Sequence, residues 1–224
     1  MAIRIAGSKL LYFPVPKVAC TSIKTFIYEI SFGKKFEGGL VNGKWRHIHN
    51  WSSHYLSKNF WSDPGVDYSN FEKIVVVRDP IKRLLSAYSN RVLYHGELNS
   101  DRVDQKLMEC LGINYRPKLN EFVLNLEKYC VCSPSISHHL QNASTFVGPG
   151  LDFFEHVYKV EDTADLADMI NKRMGTSVEL GRSQTEGKKV HFSDLSRKAQ
   201  VKLLEYCAGD YALLRDYYSP PKLT

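Results

Sequence analysis

The sequence predicts an α/β fold: three layers, α/β/α, around a central and mostly parallel sheet. Three observations predict it. Short apolar runs near 10–14, 72–77 and 157–160 have the length and the β-branched or aromatic content of strands. Stretches with apolar residues at helical spacing alternate with them. Ile74-Val75-Val76-Val77 is an uninterrupted apolar run, as expected of a strand covered on both faces. Strands alternating with helices belong to a parallel sheet flanked by helices.

The elements follow in order. The first strand, near 10–14, leads through a turn rich in small and hydroxyl residues into a helix near 21–32. Residues 33–70 read as loop-rich with short helices. Strand 72–77 ends in Arg78-Asp79-Pro80 and runs into a helix over 81–94. Asp79, just before a proline, reads as a structural cap. Residues 95–117 read as an insertion with one short helix, Leu119–Lys128 as an amphipathic helix, and 134–142 as a connecting segment. After strand 157–160, Asp162–Met174 carries Leu166, Met169, Ile170 and Met174 at helical spacing. Asp162 or Thr163 is its candidate cap and Gly175 its end. Ser193–Tyr206 is the last helix, with a stripe of Leu195, Ala199, Leu203 and Leu204.

Composition limits the function classes. At 224 residues the chain predicts one domain over 1–224, although two small domains also fit that length. A hydrophobic fraction of 43% and an aromatic fraction of 12% exclude a disordered chain. No apolar run is long enough to span a membrane. Met1–Gly7 lacks a secretory h-region, so the expected localisation is cytoplasmic. The net charge of +6 favours anionic ligands, but the basic residues are dispersed. A nucleic-acid binder would carry a dense basic stripe. The five cysteines are odd in number and form no C-x-x-C pair, so no metal site is expected and the thiols are expected reduced.

The chemistry is concentrated in two segments. Tyr12-Phe13-Pro14-Val15-Pro16-Lys17-Val18-Ala19-Cys20-Thr21-Ser22-Ile23-Lys24 reads as strand, turn and helix start. That layout aims backbone N–H groups and a lysine at one point, as a phosphate or sulfate requires. It lacks the glycines of G-x-x-x-x-G-K-[ST] and is not the nucleotide P-loop. The second segment ends strand 72–77 on Arg78, at the carboxyl edge where ligands gather in open α/β sheets. Ser86 follows about two helical turns later.

Pro16-Lys17-Val18-Ala19-Cys20-Thr21-Ser22, followed by Arg78-Asp79-Pro80 with Ser86 eight residues after the arginine, resembles the two ordered motifs of the PAPS-dependent sulfotransferases. The likeness is to the carbohydrate branch. The resemblance implies a P-loop-kinase-like sulfotransferase fold and PAPS as donor, with PAP as product and no metal required. It implies a 5′-phosphosulfate loop of Lys17, Val18, Ala19, Cys20, Thr21 and Ser22, and a 3′-phosphate site of Arg78 and Ser86. Cys20 could on paper be a nucleophile; a small residue permitting close backbone approach is the plainer role. Gly181–Lys189 resembles a C-terminal loop that closes over the nucleotide or acceptor, and assigns Thr185 and Lys188 there. The implied acceptor is a hydroxyl of a saccharide or glycolipid. The lack of an N-terminal span fits a soluble bacterial-type member or a trimmed domain.

Sulfuryl transfer to a hydroxyl needs charge stabilisation at the leaving oxygen and a base for the acceptor proton. Lys17 is the cation for the first. For the second, His47-Ile48-His49 lies between the two phosphate motifs. The heparan-sulfate uronyl 2-O-sulfotransferases of this branch carry a His-x-His pair in the corresponding region. His49 is the expected base and His47 its partner; in an extended loop the two face the same side. Both could equally be packing residues of an ordinary loop. His54 and His138-His139 follow as candidates. Arg83 reads as a ligand contact or a helix-surface ion pair. Trp45, Trp51 and Trp61 read as core residues or as stacking platforms for a sugar or adenine. Two rivals stand beside sulfotransfer: a small-molecule kinase on the related fold, which would need a Gly-rich loop and a Mg²⁺ carboxylate, and a non-catalytic nucleotide-binding module.

Overall fold

The structure, a computed structural model, describes residues 2–62, 65–181 and 187–224. The chain runs β1 (Ile3–Arg4), β2 (Leu10–Phe13), α1 (Cys20–Phe32), β3 (Gly39–Val41) and β4 (Lys44–Arg46). Three 3₁₀ turns follow, at Ile48–Asn50, Ser53–Tyr55 and Phe60–Ser62, before β5 (Glu72–Val77). Then come α2 (Pro80–Ala87), a π-helical stretch (Tyr88–Tyr94), α3 (Gln105–Leu111), α4 (Leu119–Leu124), α5 (Leu126–Cys132) and α6 (Pro134–Leu140). The chain closes with α7 (Ser144–Val147), β6 (His156–Lys159), α8 (Thr163–Met174), a 3₁₀ turn at Phe192–Asp194 and α9 (Arg197–Leu213). Two compact units result: Met1–Arg78 with Ala143–Gln184, and Asp79–Asn142 with Thr185–Thr224.

The first unit holds a mixed four-stranded sheet in the order β1-β2-β5-β6. β2–β5 and β5–β6 are parallel, and β1 pairs antiparallel with β2 at the edge. In the centre, Phe13 pairs with Val75 and Val75 with Val157. Tyr12, Ile74, Val75 and Val76 are wholly buried, as the apolar runs require of a doubly covered strand. α1 buries Ile23, Phe26, Ile27 and Ile30 and stops at Gly33 in the left-handed region, whose N–H caps Glu29 O. α8 buries Leu166, Ala167 and Ile170 and ends at left-handed Gly175. Glu72, at the start of β5, is gripped by Arg173 of α8 at 2.7 and 3.0 Å and by His156 of β6 at 2.8 Å. Those hydrogen bonds hold its carboxyl down to about 2.

Several expectations change. The 33–70 stretch contains the β3–β4 hairpin, turned by Asn42 and Gly43 at positive φ. Asn-Gly is the residue pair such a two-residue turn selects, so the signal was there. The helix expected over 119–128 divides into α4 and α5. Asn125 has φ −128°, its side-chain amide takes Glu121 O, and its own N–H falls back to Phe122 O. The 134–142 connection is instead α6, because Ser133 caps Ile136 N–H and Pro134 occupies the first helical position. α9 begins four residues later than expected, capped by Ser196, and runs on to Leu213. Asp162 makes no side-chain cap to α8. The helix over 81–94 begins at Pro80 and changes from α to π winding at Tyr88.

The second unit has its own core, built on Leu84, Leu98, Met108, Phe122, Tyr129 and Leu203. Its polar centre is an ion pair. Arg83 lies 3.2 Å from Asp210, the two side chains being 5% and 3% exposed, and also donates to Gln141 O. Arg83 is therefore a buried structural cation, not a helix-surface one. Asp79 caps α2 by accepting Lys82 N–H at 2.8 Å, and its second oxygen accepts Tyr211 O–H at 3.0 Å. Burial pushes the Tyr211 phenol far above its usual range. Asp210→Ala is expected to strand the Arg83 guanidinium in the core. It should lower the unfolding free energy by about 3–5 kcal/mol in urea titrations, while the double change Arg83→Met with Asp210→Val costs less.

Candidate active site

The parallel pairing of β2 with β5 brings their carboxyl ends together. Beyond Phe13 the chain turns through 14–19; beyond Val77 it presents Arg78. Lys17 and Ala19 both occupy the left-handed region, at φ 65° and 61°. Each costs on the order of 1–3 kcal/mol for a residue with a side chain. Side-chain packing and a hydrogen bond help hold the strained turn. Val18 between them is buried, with 1% exposed, and the Arg78 guanidinium donates to Lys17 O at 2.9 Å. A backbone of this alternating kind forms an N–H concavity suited to an anion. α1 starts immediately afterwards. Its N-cap is Ala19, which has no side-chain oxygen to offer, and its first turn carries no acidic residue. The positive end of the helix adds to the same field. Cys20 is buried at 8% exposed, as are Thr21 and Ser22 at 8% and 7%.

The histidines meet this loop from the 47–50 turn. The segment is not extended: His47 is the N-cap of a 3₁₀ turn and accepts His49 N–H on Nδ1 at 3.3 Å. The two rings nevertheless share a side, stacked at 5.1 Å and 14°. His49 reaches α1 with both ring nitrogens. Nε2 lies 2.9 Å from Thr21 Oγ1 and Nδ1 lies 2.8 Å from Lys24 Nζ. Thr21 and Lys24 are one turn apart on α1 and so present the same face. Lys24 was not singled out in the sequence. Its signal is a lysine in the apolar face of α1, one turn beyond Thr21.

The remaining candidates are placed as follows. Ser86 is half-buried on α2. The exposed Lys188 gives its carbonyl to Ser89 Oγ at 2.6 Å, beside Gly187, where a Cβ would stand 3.0 Å from that oxygen. Thr185 lies outside the described residues. His139 donates from Nδ1 to Ser135 O and accepts Arg91 on Nε2, and His54 is exposed in the turn at Ser53–Tyr55. Trp51 packs among Tyr28, Phe32 and Phe36, whereas Trp45 and Trp61 are 67% and 71% exposed. A groove of about 720 Å³ runs from Ala19 and Ser22 along Ala164, Ala167 and Asn171 to Ser177. All five cysteines are free. Among the described residues no cluster of His, Cys, Asp or Glu is arranged to hold a metal, and no helix is long and apolar enough to cross a membrane.

The model of the sulfotransferase family matches residues 3–218. The chain belongs to the sulfotransferase family. Carbohydrate sulfotransferase 11 of Rattus norvegicus is 23% identical over 235 residues, covering 95% of this chain and 65% of that protein. Carbohydrate sulfotransferase 11 of Danio rerio is 33% identical over 86 residues, covering 37% of this chain and 24% of that protein. Carbohydrate sulfotransferase 12 of Mus musculus is 32% identical over 95 residues, covering 37% of this chain and 22% of that protein. The chain thus spans less than two thirds of the length of the relatives it matches. No solved structure gives a significant match.

The left-handed turn at Lys17 and Ala19 gives a stability test. Ala19→Gly removes a strain of about 1–2 kcal/mol and adds back about 0.5–1 kcal/mol of chain entropy. A small rise in melting temperature is expected. Ala19→Val, β-branched at positive φ, should lower it by more than the glycine raises it, as scanning calorimetry would read.

Proposed function

We propose that this sulfotransferase moves the sulfuryl group of PAPS onto a hydroxyl of a saccharide or glycolipid. The observation that carries the reading is the strained turn at Lys17 and Ala19, braced by Arg78 and set directly before α1. Strain kept in a loop that ends at an uncapped helix has a use if an anion sits there. The donor set fits a phosphosulfate: backbone N–H groups, the hydroxyls of Thr21 and Ser22, two cations, and no acid in the first turn of α1. The acceptor class is supported by the names of the relatives, carbohydrate sulfotransferases 11 and 12. The parallel β2–β5–β6 core and the match over 3–218 support one sulfotransferase domain of the three-layer, P-loop-kinase-like kind.

In this reading PAPS supplies the sulfuryl group and leaves as PAP. Lys17, with the backbone of Val18, Ala19 and Cys20 and the hydroxyls of Thr21 and Ser22, binds the 5′ end. The Lys17 ammonium offsets charge on the leaving oxygen. Arg78 binds the 3′-phosphate through its guanidinium, a planar group of five N–H donors suited to phosphate oxygens. Ser86, Thr185 and Lys188 are assigned to the donor on the resemblance alone. His49 takes the acceptor proton and His47 backs its ring. For that step the acceptor oxygen must replace Thr21 Oγ1 at Nε2.

Two experiments test the reading. PAP should raise the melting temperature without added metal, and Mg-ATP should not. The reverse pattern would favour the kinase. Among variants, Lys17→Ala should lower kcat and leave PAP affinity nearly intact. Arg78→Ala should weaken PAP binding by about 1.5–3 kcal/mol. It should also lower kcat, because Lys17 loses its brace. His49→Ala should keep PAP affinity and lose about 10²–10⁴-fold in turnover; near-normal turnover would end its assignment as base.

A further inference from the structure

Lys24 is the group of this site that the proposed roles leave without a task. It is wholly buried on α1, between Ile23 and Thr25. Among the described residues no carboxylate pairs with it. Its partners are His49 Nδ1 at 2.8 Å and Ser57 Oγ at 3.1 Å. A buried ammonium without a counter-ion is unfavourable, and methionine or leucine would fill the same volume at no such cost. The titratable groups around it are Cys20 on its own helix and, from the 47–50 turn, His49 with His47 stacked against it; the chain at Ser57 adds only a hydroxyl.

We propose that Lys24 is a positioning residue that sets the tautomer of His49, and with it whether Nε2 can receive a proton. This rests on the reading of His49 as the base. The geometry allows two arrangements. With Lys24 as ammonium, Nζ donates to Nδ1, the ring proton sits on Nε2, and Nε2–H donates to Thr21 Oγ1. In that form Nε2 has no lone pair to offer. With Lys24 as neutral amine, Nδ1–H donates to Nζ and Nε2 carries the lone pair, which Thr21 O–H or an acceptor hydroxyl can address. The second form holds one proton fewer; that proton leaves to solvent, and the ring stays neutral in both. Burial lowers the Lys24 ammonium to about 8, which brings the exchange into the working range of an enzyme. Ser57 Oγ accepts an N–H of the ammonium and equally an N–H of the amine, whose one lone pair is taken by Nδ1–H, so it serves either form.

The test reads the tautomer directly. Two-bond ¹H–¹⁵N spectra of the full chain, with His49 assigned through His49→Gln, would follow the ring between about pH 6.5 and 9.5. In the wild type His49 should pass from the Nε2–H to the Nδ1–H form with a midpoint near the Lys24 value of about 8. The kcat of sulfate transfer should rise through the same midpoint, about tenfold per pH unit below it. Lys24→Met should abolish the tautomer change and displace that limb, with PAP affinity within about twofold of wild type. Lys24→Arg, a donor at every pH, should hold the Nε2–H form and lose about 10²-fold or more in kcat at unchanged PAP affinity. A wild-type His49 that keeps one tautomer across the range overturns the proposal, as does a Lys24→Met protein that still switches. The wild-type spectrum decides alone where a variant does not fold. The base reading fails separately: His49→Ala with normal turnover removes it while the tautomer switch stands.

Discussion

The parallel pairing of β2 with β5 is the constraint on which the site depends. It aligns two strands by their carboxyl ends, so the turn after Phe13 and the arginine after Val77 leave the sheet side by side. The guanidinium then reaches the carbonyl of Lys17, and that bond helps hold two residues in a region that side chains disfavour. Had β2 paired antiparallel with β5, those ends would lie at opposite edges of the sheet. The sequence requirement behind this is modest: two apolar runs of strand length, with a helix between them to carry the chain back.

His49 is where the expected chemistry and the geometry pull apart most. An ideal general base has an unoccupied lone pair; this imidazole has a partner on each nitrogen, a threonine and a lysine on one face of α1. Thr21 thereby carries two duties. It is a hydroxyl at the helix start, where an anion would claim it, and it is the group that occupies Nε2. In the proposed reading, binding at the loop and the state of the imidazole are linked through one side chain, with no movement of a strand or helix required.

Much of this was legible. The buried strands, the turn after β2, α1, α8 and the order of the two motifs follow from apolar runs, small residues and punctuation by Gly and Pro. The cap at Asp79 was legible too, since an acid before a proline has little other use there. What was missed divides into two kinds. Asn42-Gly43 and Ser133-Pro134 are local signals of a hairpin and a helix start, present and not weighted enough. Lys24, the Arg83–Asp210 pair and the break at Asn125 are of another kind. Whether a lysine or arginine is buried, or an asparagine side chain turns back on its own helix, is decided by neighbours far away in the chain or by competition within a turn. Periodicity carries no record of either.

The sheet is discontinuous in the chain: β5 and β6 are adjacent in space, yet the whole of α2 to α7 lies between them in sequence. Closing so long a loop is entropically slow, and contacts of this range delay folding. During synthesis β2 and β5 emerge long before their last partner. Until His156–Lys159 arrives, Ile74–Val77 is an open edge made of four apolar residues, the kind of edge that pairs with another chain. The strand that places Arg78 is thus also a segment of the nascent protein open to aggregation. A fragment ending before β6 would expose that edge permanently, whatever it retained of the turn after β2 and of Arg78.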